Sequence, residues 1–284
     1  MTNEIRSAAD VKHHPIYERH PISAQVILAQ LEAARGTLDD LRPDDLFPHD
    51  QDHYGGLAAN DVLAKCAQIG SGTKVVDLCA GLGGPARYWA HRYGAFVTGI
   101  ELTPTRVADA ADLTERVNLG GMVKVIEGDV TTLPLASGSQ DAVVSQEALF
   151  HVPDLARALS EAYRVLRPGG RIAFTNWIVR RSLSDADARL LWDGLAVVTL
   201  ISIARHAELL RDVGFIIDAI EDEADAWGPV PAEQLRMYQK LREETEQAGT
   251  PAGDDDFYKS YVLFVDLVQK KIMGGARFSA AKPA

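Results

Sequence analysis

Val75-Val76-Asp77-Leu78-Cys79-Ala80-Gly81-Leu82-Gly83-Gly84-Pro85 is the stretch on which the fold turns. A short β-branched run passes into a glycine-rich turn, and Pro85 stands where a helix would start, a position that does not need its missing N–H. Glycines let backbone N–H groups approach an anionic ligand, and the partial positive charge of a helix N-terminus adds to the attraction. Outward from this stretch, Lys74–Leu78 is the first of several short apolar runs, followed by Phe96–Ile100, Val123–Ile126, Asp141–Ser145 and Arg171–Thr175. Near-continuous runs of this kind suit strands buried on both faces of a parallel sheet. Helices fit between them. Thr103-Pro104 opens one that Gly120-Gly121 closes, and Leu155, Leu159, Ala162 and Leu166 fall at helical spacing before Pro168-Gly169-Gly170. His206–Val213 reads as a helix stopped by Gly214, Phe215–Ile220 as a strand, and Gly275–Ala281 as a last strand. This alternation predicts an α/β fold with a doubly wound, seven-stranded sheet and ligands at the C-terminal strand ends.

The flanks read differently. Apolar helical patterns over Ile22–Ala34 and Leu57–Ala67 surround an acidic loop, Asp39–Tyr54, and further helical stretches lie between Trp227 and Lys271. The expected organisation is an N-terminal helical, acidic segment over 1–70 that covers the site and a ligand-binding core over 71–222. A helical cap over 223–274 is inserted before the final strand and tail, 275–284.

Three companions sharpen the glycine turn. Glu101 ends the second run, where an acidic side chain can accept both hydroxyls of a ribose. Gly128-Asp129-Val130 follows the third run, and Gln146-Glu147-Ala148-Leu149-Phe150-His151 the fourth. Here the sequence resembles the class I S-adenosylmethionine-dependent methyltransferases, through Asp77, Gly81, Gly83, Glu101, Gly128-Asp129 and Leu166-Arg167-Pro168-Gly169-Gly170. The resemblance spans roughly residues 55–220 plus the last strand and implies a Rossmann-like sheet. It also implies that the backbone of Gly81, Leu82 and Gly83 holds the methionine part of the cofactor, S-adenosylmethionine. Glu101 would take the ribose hydroxyls, Leu102 the adenine face, Asp129 the adenine amino group with Val130 beside it, and Gln146 the neighbourhood of the sulfonium. Asp77 either orients the turn or contacts the cofactor, while for Asp129 a turn role is the lesser alternative. Cys79 departs from the family pattern, which usually has glycine there, and reads as a packed turn residue.

Ser145–His151 and Asp52-His53-Tyr54-Gly55-Gly56 look like the corresponding stretches of sarcosine, dimethylglycine and related small-molecule N-methyltransferases. By that resemblance Tyr54 closes over the methionine end and the acceptor, while Gln146 and His151 face the transferred methyl. Histidine titrates near neutral pH and could take the acceptor's proton, though it could also simply bond a neighbouring loop. Trp177, Trp192 and Trp227 could line a pocket for a cation or fill the core. His49, Asp50, Asp52 and His53 match no metal-ligand spacing, so no metal is expected.

Composition narrows the class. The 284 residues are 46% hydrophobic with a formal net charge of −11, which suits a packed core and argues against disorder. Without a basic run, nucleic acid and anionic membranes are poor partners. No apolar run could span a bilayer, and Met1–Asp10 lacks a signal peptide's apolar core, so a cytoplasmic protein acting on a small-molecule acceptor is expected, with a homodimer allowed for. Two cysteines, Cys66 and Cys79, make no disulfide framework. The charge is uneven: 6 basic and 11 acidic side chains over 1–70, 12 and 11 over 71–183, 11 and 18 over 184–284. Acidic flanks are either plain solvated surface or a field that favours a cationic acceptor. An amine nitrogen is therefore the expected acceptor atom, with oxygen or carbon on a natural-product scaffold as the alternative. A nicotinamide oxidoreductase shares the glycine turn but is disfavoured by Gly128-Asp129 and the late insertion. A silent binding protein is disfavoured by the chemically suitable cofactor positions.

Overall fold

In the computed structural model, which describes residues 6–17, 22–227, 229, 231–233, 235, 236, 239 and 255–284, alternate side chains of each central strand serve two different cores. The elements run α1 (Ala8–Lys12), α2 (Ala24–Arg35), α3 (Pro43–Leu46), α4 (Gly56–Cys66), β1 (Lys74–Leu78), α5 (Gly84–Tyr93), β2 (Phe96–Glu101), α6 (Pro104–Arg116), β3 (Val123–Glu127) and β4 (Gln140–Gln146). They continue with α7 (Leu155–Val165), β5 (Leu166–Val179), α8 (Asp185–Leu195), α9 (Ile203–Val213), β6 (Ile216–Asp222), α10 (Ala224–Trp227), α11 (Asp255–Gln269) and β7 (Met273–Ala281). On β1, Val75 joins a core with Ile27, Leu31, Leu63, Trp89 and Leu113. Its neighbour Val76 faces the other way, toward Leu155, Leu159, Leu209 and Leu210. The two-residue strand period makes this division, and because both faces are covered the middle of each central strand is mostly apolar while the polar residues of β1 to β4 fall mainly toward the strand ends.

The sheet order is β3-β2-β1-β4-β5-β7-β6. β1 through β5 pair in parallel, and β7 runs antiparallel between β5 and β6, with Phe174 and Phe278 paired and their rings stacked at 4.8 Å. The chain winds outward from β1 to β3, then returns to β4 beside β1. That reversal opens a crevice at the C-terminal ends of β1 and β4. A third apolar cluster roofs it: Tyr54 and Phe150 pack with Trp177, Leu191, Trp227, Tyr261 and Phe264.

The seven strands and the helices on both faces are those expected, with local differences. α7 stops at Val165, and Leu166 is already extended and paired with Gln140. The fixed ring of Pro168 pushes Arg167 toward extended geometry, so the helix cannot reach the glycines. α6 ends at Arg116, short of Gly120, with Asn118 at φ +57° turning the chain. Thr103 makes no side-chain cap; its N–H donates to Glu101 instead. Helices α1, α3, α8 and α10 are not expected from the sequence, and α3 lies within the stretch Asp39–Tyr54 read there as a loop, where Pro43 at its first turn starts a single short helix. Of the helical stretches expected between Trp227 and Lys271, residues 228, 230, 234, 237, 238 and 240–254 lie outside the described residues, as do residues 1–5 of Met1–Asp10. Among the described residues no helix is long and apolar enough to cross a membrane.

Candidate active site

One cavity occupies the crevice, and its walls are the C-terminal ends of β1, β2, β3 and β4 together with the N-terminal segment and the aromatic roof. Of the residues singled out from the sequence, Tyr54, Asp77, Gly81, Leu82, Glu101, Leu102, Asp129, Val130, Gln146 and His151 all line it. Gly83 does not; it caps α5 behind the wall, and Gly84 and Pro85 stand there in its place. Gly84 has a strict steric reason for lacking a side chain: a Cβ would lie 2.0 Å from the Asp50 carbonyl oxygen. The N-terminal segment is thus seated directly on the glycine turn. Cys79 has φ +58°, a left-handed conformation that glycine adopts without strain and that fits the glycine expected at this turn. Burial pushes its thiol up, so it stays protonated at neutral pH.

Glu101 is buried and held from two sides. The Gly81 N–H donates to Oε2 and the Thr103 N–H to Oε1, both at 2.9 Å. A carboxylate offers about four lone-pair positions, so each oxygen keeps capacity for a hydroxyl donor. Asp129 serves its own turn through Oδ1, which accepts from the Thr131 N–H and hydroxyl at 2.8 and 2.7 Å, while still facing the cavity. Asp77 is buried beside Glu101; burial first, and the Glu101 charge second, push its carboxyl up to about 8.

His151 sits on the short 3-10 turn Leu149–His151. Its Nδ1 lies 2.9 Å from the Ala196 carbonyl oxygen, which can only accept, so Nδ1 carries a proton and donates to it. That turn is braced by a buried relay: the His206 Nδ1–H donates to the Ser202 carbonyl, Asn176 Nδ2 donates to His206 Nε2, and Asn176 Oδ1 accepts the Phe150 N–H. Tyr54 is pinned by its N–H to Glu147 at 2.6 Å and its ring meets Trp227 at 5.1 Å. Trp227 in turn fits only because Gly275 has no Cβ, which would sit 1.9 Å from the indole. Trp177 lines the cavity, whereas Trp192 packs on His14 away from it.

The four acidic-loop residues weighed as a metal set diverge. Asp50 pairs with Arg87, Asp52 with Arg106, His49 with Gln30, and His53 with Gln51 and the Tyr54 carbonyl. Among the described residues no cluster of three or more His, Cys, Asp or Glu side chains could hold a metal ion. Sequence reasoning missed Tyr17, whose ring meets that of His151 at 5.9 Å and which lines the cavity near Glu101. It also assigned no role to Glu147 or Arg106, both in the wall.

The raised acids carry a pH prediction. Asp77 and Glu147, pushed up to about 8 and about 7 from 3.8 and 4.5, bind protons in the folded state that the unfolded chain has released. Their contribution to stability is complete below about pH 4 and is lost as pH rises through 7 and 8. His206, depressed to about 4 from 6.5, acts in the opposite sense, its contribution being lost as pH falls. Above about pH 6.5 only the acids remain in play. The melting temperature therefore falls between pH 6.5 and 8.5, and Asp77→Asn flattens most of that fall. Thermal melts of both proteins across this range check it; parallel curves would contradict it.

Comparison with known proteins agrees with this geometry. Residues 76–174 match the model of the methyltransferase domain family. Over 190 residues the chain is 30% identical to the 27-O-demethylrifamycin SV methyltransferase of Amycolatopsis mediterranei, covering 66% of this chain and 70% of that one. The chain belongs to the class I S-adenosylmethionine-dependent methyltransferase family. It is also 32% identical over 177 residues to the sterol 24-C-methyltransferase of Eremothecium gossypii, covering 60% of this chain and 47% of the relative, so it aligns with about half the length of that enzyme. With the sarcosine/dimethylglycine N-methyltransferase of Halorhodospira halochloris it shares 30% identity over 181 residues, 63% of this chain and 62% of that one. The solved [4+2]-cyclase SpnF has the same fold, with a TM-score of 0.69, 23% identity and coverage of 93% and 97%. That pairing cautions that the fold alone does not fix the chemistry.

S-adenosylmethionine is the cofactor of this methyltransferase family, and the cavity is chemically suited to it. Glu101 offers a carboxylate to paired hydroxyls, and the glycine turn leaves its backbone approachable. Among the described residues neither Oε1 nor Nε2 of Gln146 has a hydrogen-bond partner, although buried amides in folded proteins are nearly always satisfied. A polar ligand in the cavity would supply the missing partners.

Proposed function

We propose that this protein transfers a methyl group from S-adenosylmethionine to a small-molecule acceptor, with an amine nitrogen as the receiving atom. The observation that supports this is the continuity of one cavity from Glu101 and Asp129, past Gln146, to Tyr54, Phe150 and His151. When bound, S-adenosylmethionine supplies a methyl group activated by a sulfonium and open to in-line displacement. The work left to the chain is alignment, exclusion of water and management of one proton. Glu101 would hold the ribose, with Leu102 and Val130 against the adenine and Asp129 at its amino group. The backbone of Gly81 and Leu82 would hold the methionine end, with Gly84 taking the wall position expected of Gly83 and Gln146 beside the reacting centre. Tyr54 would close the acceptor side, and the N-terminal segment and late helical cap would cover the site. His151, with Nδ1–H committed to Ala196, would take the acceptor's proton at Nε2. The acidic balance of the flanks favours a cationic acceptor.

His151→Ala is expected to lower kcat by about a hundredfold, the range of a lost general base, while S-adenosylhomocysteine affinity stays within about twofold. An unaltered rate would make His151 a structural residue.

Transfer to oxygen or carbon on a natural-product scaffold is the second reading. It is favoured by similarity to the 24-C-methyltransferase and the 27-O-demethylrifamycin enzyme. A labelled-methyl assay over matched amines, phenols and olefins separates the two. Label in the amines supports the first reading, and label confined to phenols or olefins supports the second.

A further inference from the structure

We infer that Glu147 and the aromatic side chains around it form a subsite for a positive charge on the acceptor, so that the preferred acceptors present an ammonium group to this wall. The inference rests on the methyl-transfer reading and adds to it the residue that selects the acceptor's charge.

Glu147 follows β4 directly and has φ +44°, a left-handed conformation costly for any residue but glycine. Such strain persists where the surrounding structure holds it, and here three bonds do. The Glu147 N–H donates to the Thr175 carbonyl at 3.0 Å, the Thr175 hydroxyl donates to Oε1 at 2.6 Å, and the Tyr54 N–H donates to Oε2 at 2.6 Å. The carboxylate is therefore fixed in orientation within the cavity wall. Both of its protein partners are neutral donors. Buried carboxylates are normally paired with a cation, yet among the described residues no lysine, arginine or histidine pairs with this one. Asp52 and Glu223 add negative charge from nearby, and burial pushes the Glu147 carboxyl up to about 7. Asp52 is itself paired with Arg106 and Glu223 with Arg277, so the unmatched acid at this wall is Glu147, which a bound cation would hold in its ionised form.

The rest of the wall suits a cation. Tyr54, Phe150 and Tyr261 line the same cavity, with Trp177 stacked against both Phe150 at 4.2 Å and Phe264 at 4.0 Å behind them, and aromatic rings attract ammonium groups. A second observation points to a polar ligand at this wall: among the described residues the buried Trp177 indole N–H and the Gln146 amide find no hydrogen-bond partner, and the amide oxygen could accept from an ammonium. A hydroxyl or olefin acceptor would leave the carboxylate without a counter-charge, whereas an ammonium meets both the carboxylate and the rings.

Saturation-transfer NMR tests this on the intact protein loaded with S-adenosylhomocysteine, with tetramethylammonium as the charged probe and tert-butanol as its neutral counterpart. The wild-type protein is expected to bind tetramethylammonium about tenfold or more tightly than tert-butanol. Glu147→Gln is expected to lose about tenfold in tetramethylammonium affinity while tert-butanol and S-adenosylhomocysteine affinities are kept. Phe150→Leu, which leaves the carboxylate in place, should lose several-fold for the charged probe alone. Equal binding of the two probes by the wild type, or undiminished tetramethylammonium binding by Glu147→Gln, overturns the inference. Failure of S-adenosylhomocysteine itself to bind would instead overturn the methyl-transfer reading on which it rests.

Discussion

Replacing Glu101 by alanine is expected to lower S-adenosylhomocysteine affinity by about a hundredfold or more. Two charge-assisted hydrogen bonds to a ribose, at about 1.5–3 kcal/mol each, set that scale. The loss is compounded because Glu101 also organises the turn: without it, the Gly81 and Thr103 N–H groups lose their acceptor. Glu101→Gln keeps one acceptor oxygen and should fall between. Titration calorimetry measures the affinities, and a melting curve confirms that each variant is folded. An unchanged affinity in the folded alanine variant would remove Glu101 from the site.

The largest effect on stability is expected at the Arg87–Asp50 pair. Both side chains are fully buried, with Arg87 Nη2 and Nε donating to Asp50 Oδ2 at 2.9 and 3.2 Å. Arg87 Nη1 reaches Thr114 on α6 at 3.1 Å, so one guanidinium joins the N-terminal segment, α5 and α6. Removing one partner leaves an uncompensated charge in the core, a cost of about 3–5 kcal/mol. Asp50→Ala should therefore lower the melting temperature by roughly 10 °C, and Arg87→Met added to it should recover much of the loss, since the stranded charge goes with it. A single variant that melts within about 2 °C of the wild type would show that the pair is not holding the segment down. Because the Asp50 carbonyl rests against Gly84, the single variant should also loosen the floor of the cavity.

The parts of the site that could be read in the sequence are those tied to strand ends. Glu101 and Gln146 end their strands and Asp129 lies two residues beyond its strand, and a parallel sheet delivers such residues to one edge. The turn at Cys79 was legible for the same reason, although its left-handed backbone was not. What could not be read depends on contacts between distant segments. Tyr17 reaches the cavity from a short N-terminal turn, and Tyr261 from a helix beyond the core. Tyr54 is bonded to Glu147 across 93 positions of sequence, and neither residue's neighbours announce the other. Glu147 stood inside a stretch already singled out, but its strained φ and missing counter-charge are properties of the folded backbone. The acidic loop illustrates the reverse case. His49, Asp50, Asp52 and His53 are close in sequence, yet Arg87 and Arg106 draw the two carboxylates to different places.

Titration calorimetry of the intact chain with S-adenosylhomocysteine and, separately, with NAD tests the central claim most directly. The geometry of Glu101, Asp129 and the glycine turn predicts saturable one-to-one binding of S-adenosylhomocysteine and no binding of NAD. Tight NAD binding with no response to S-adenosylhomocysteine would contradict it.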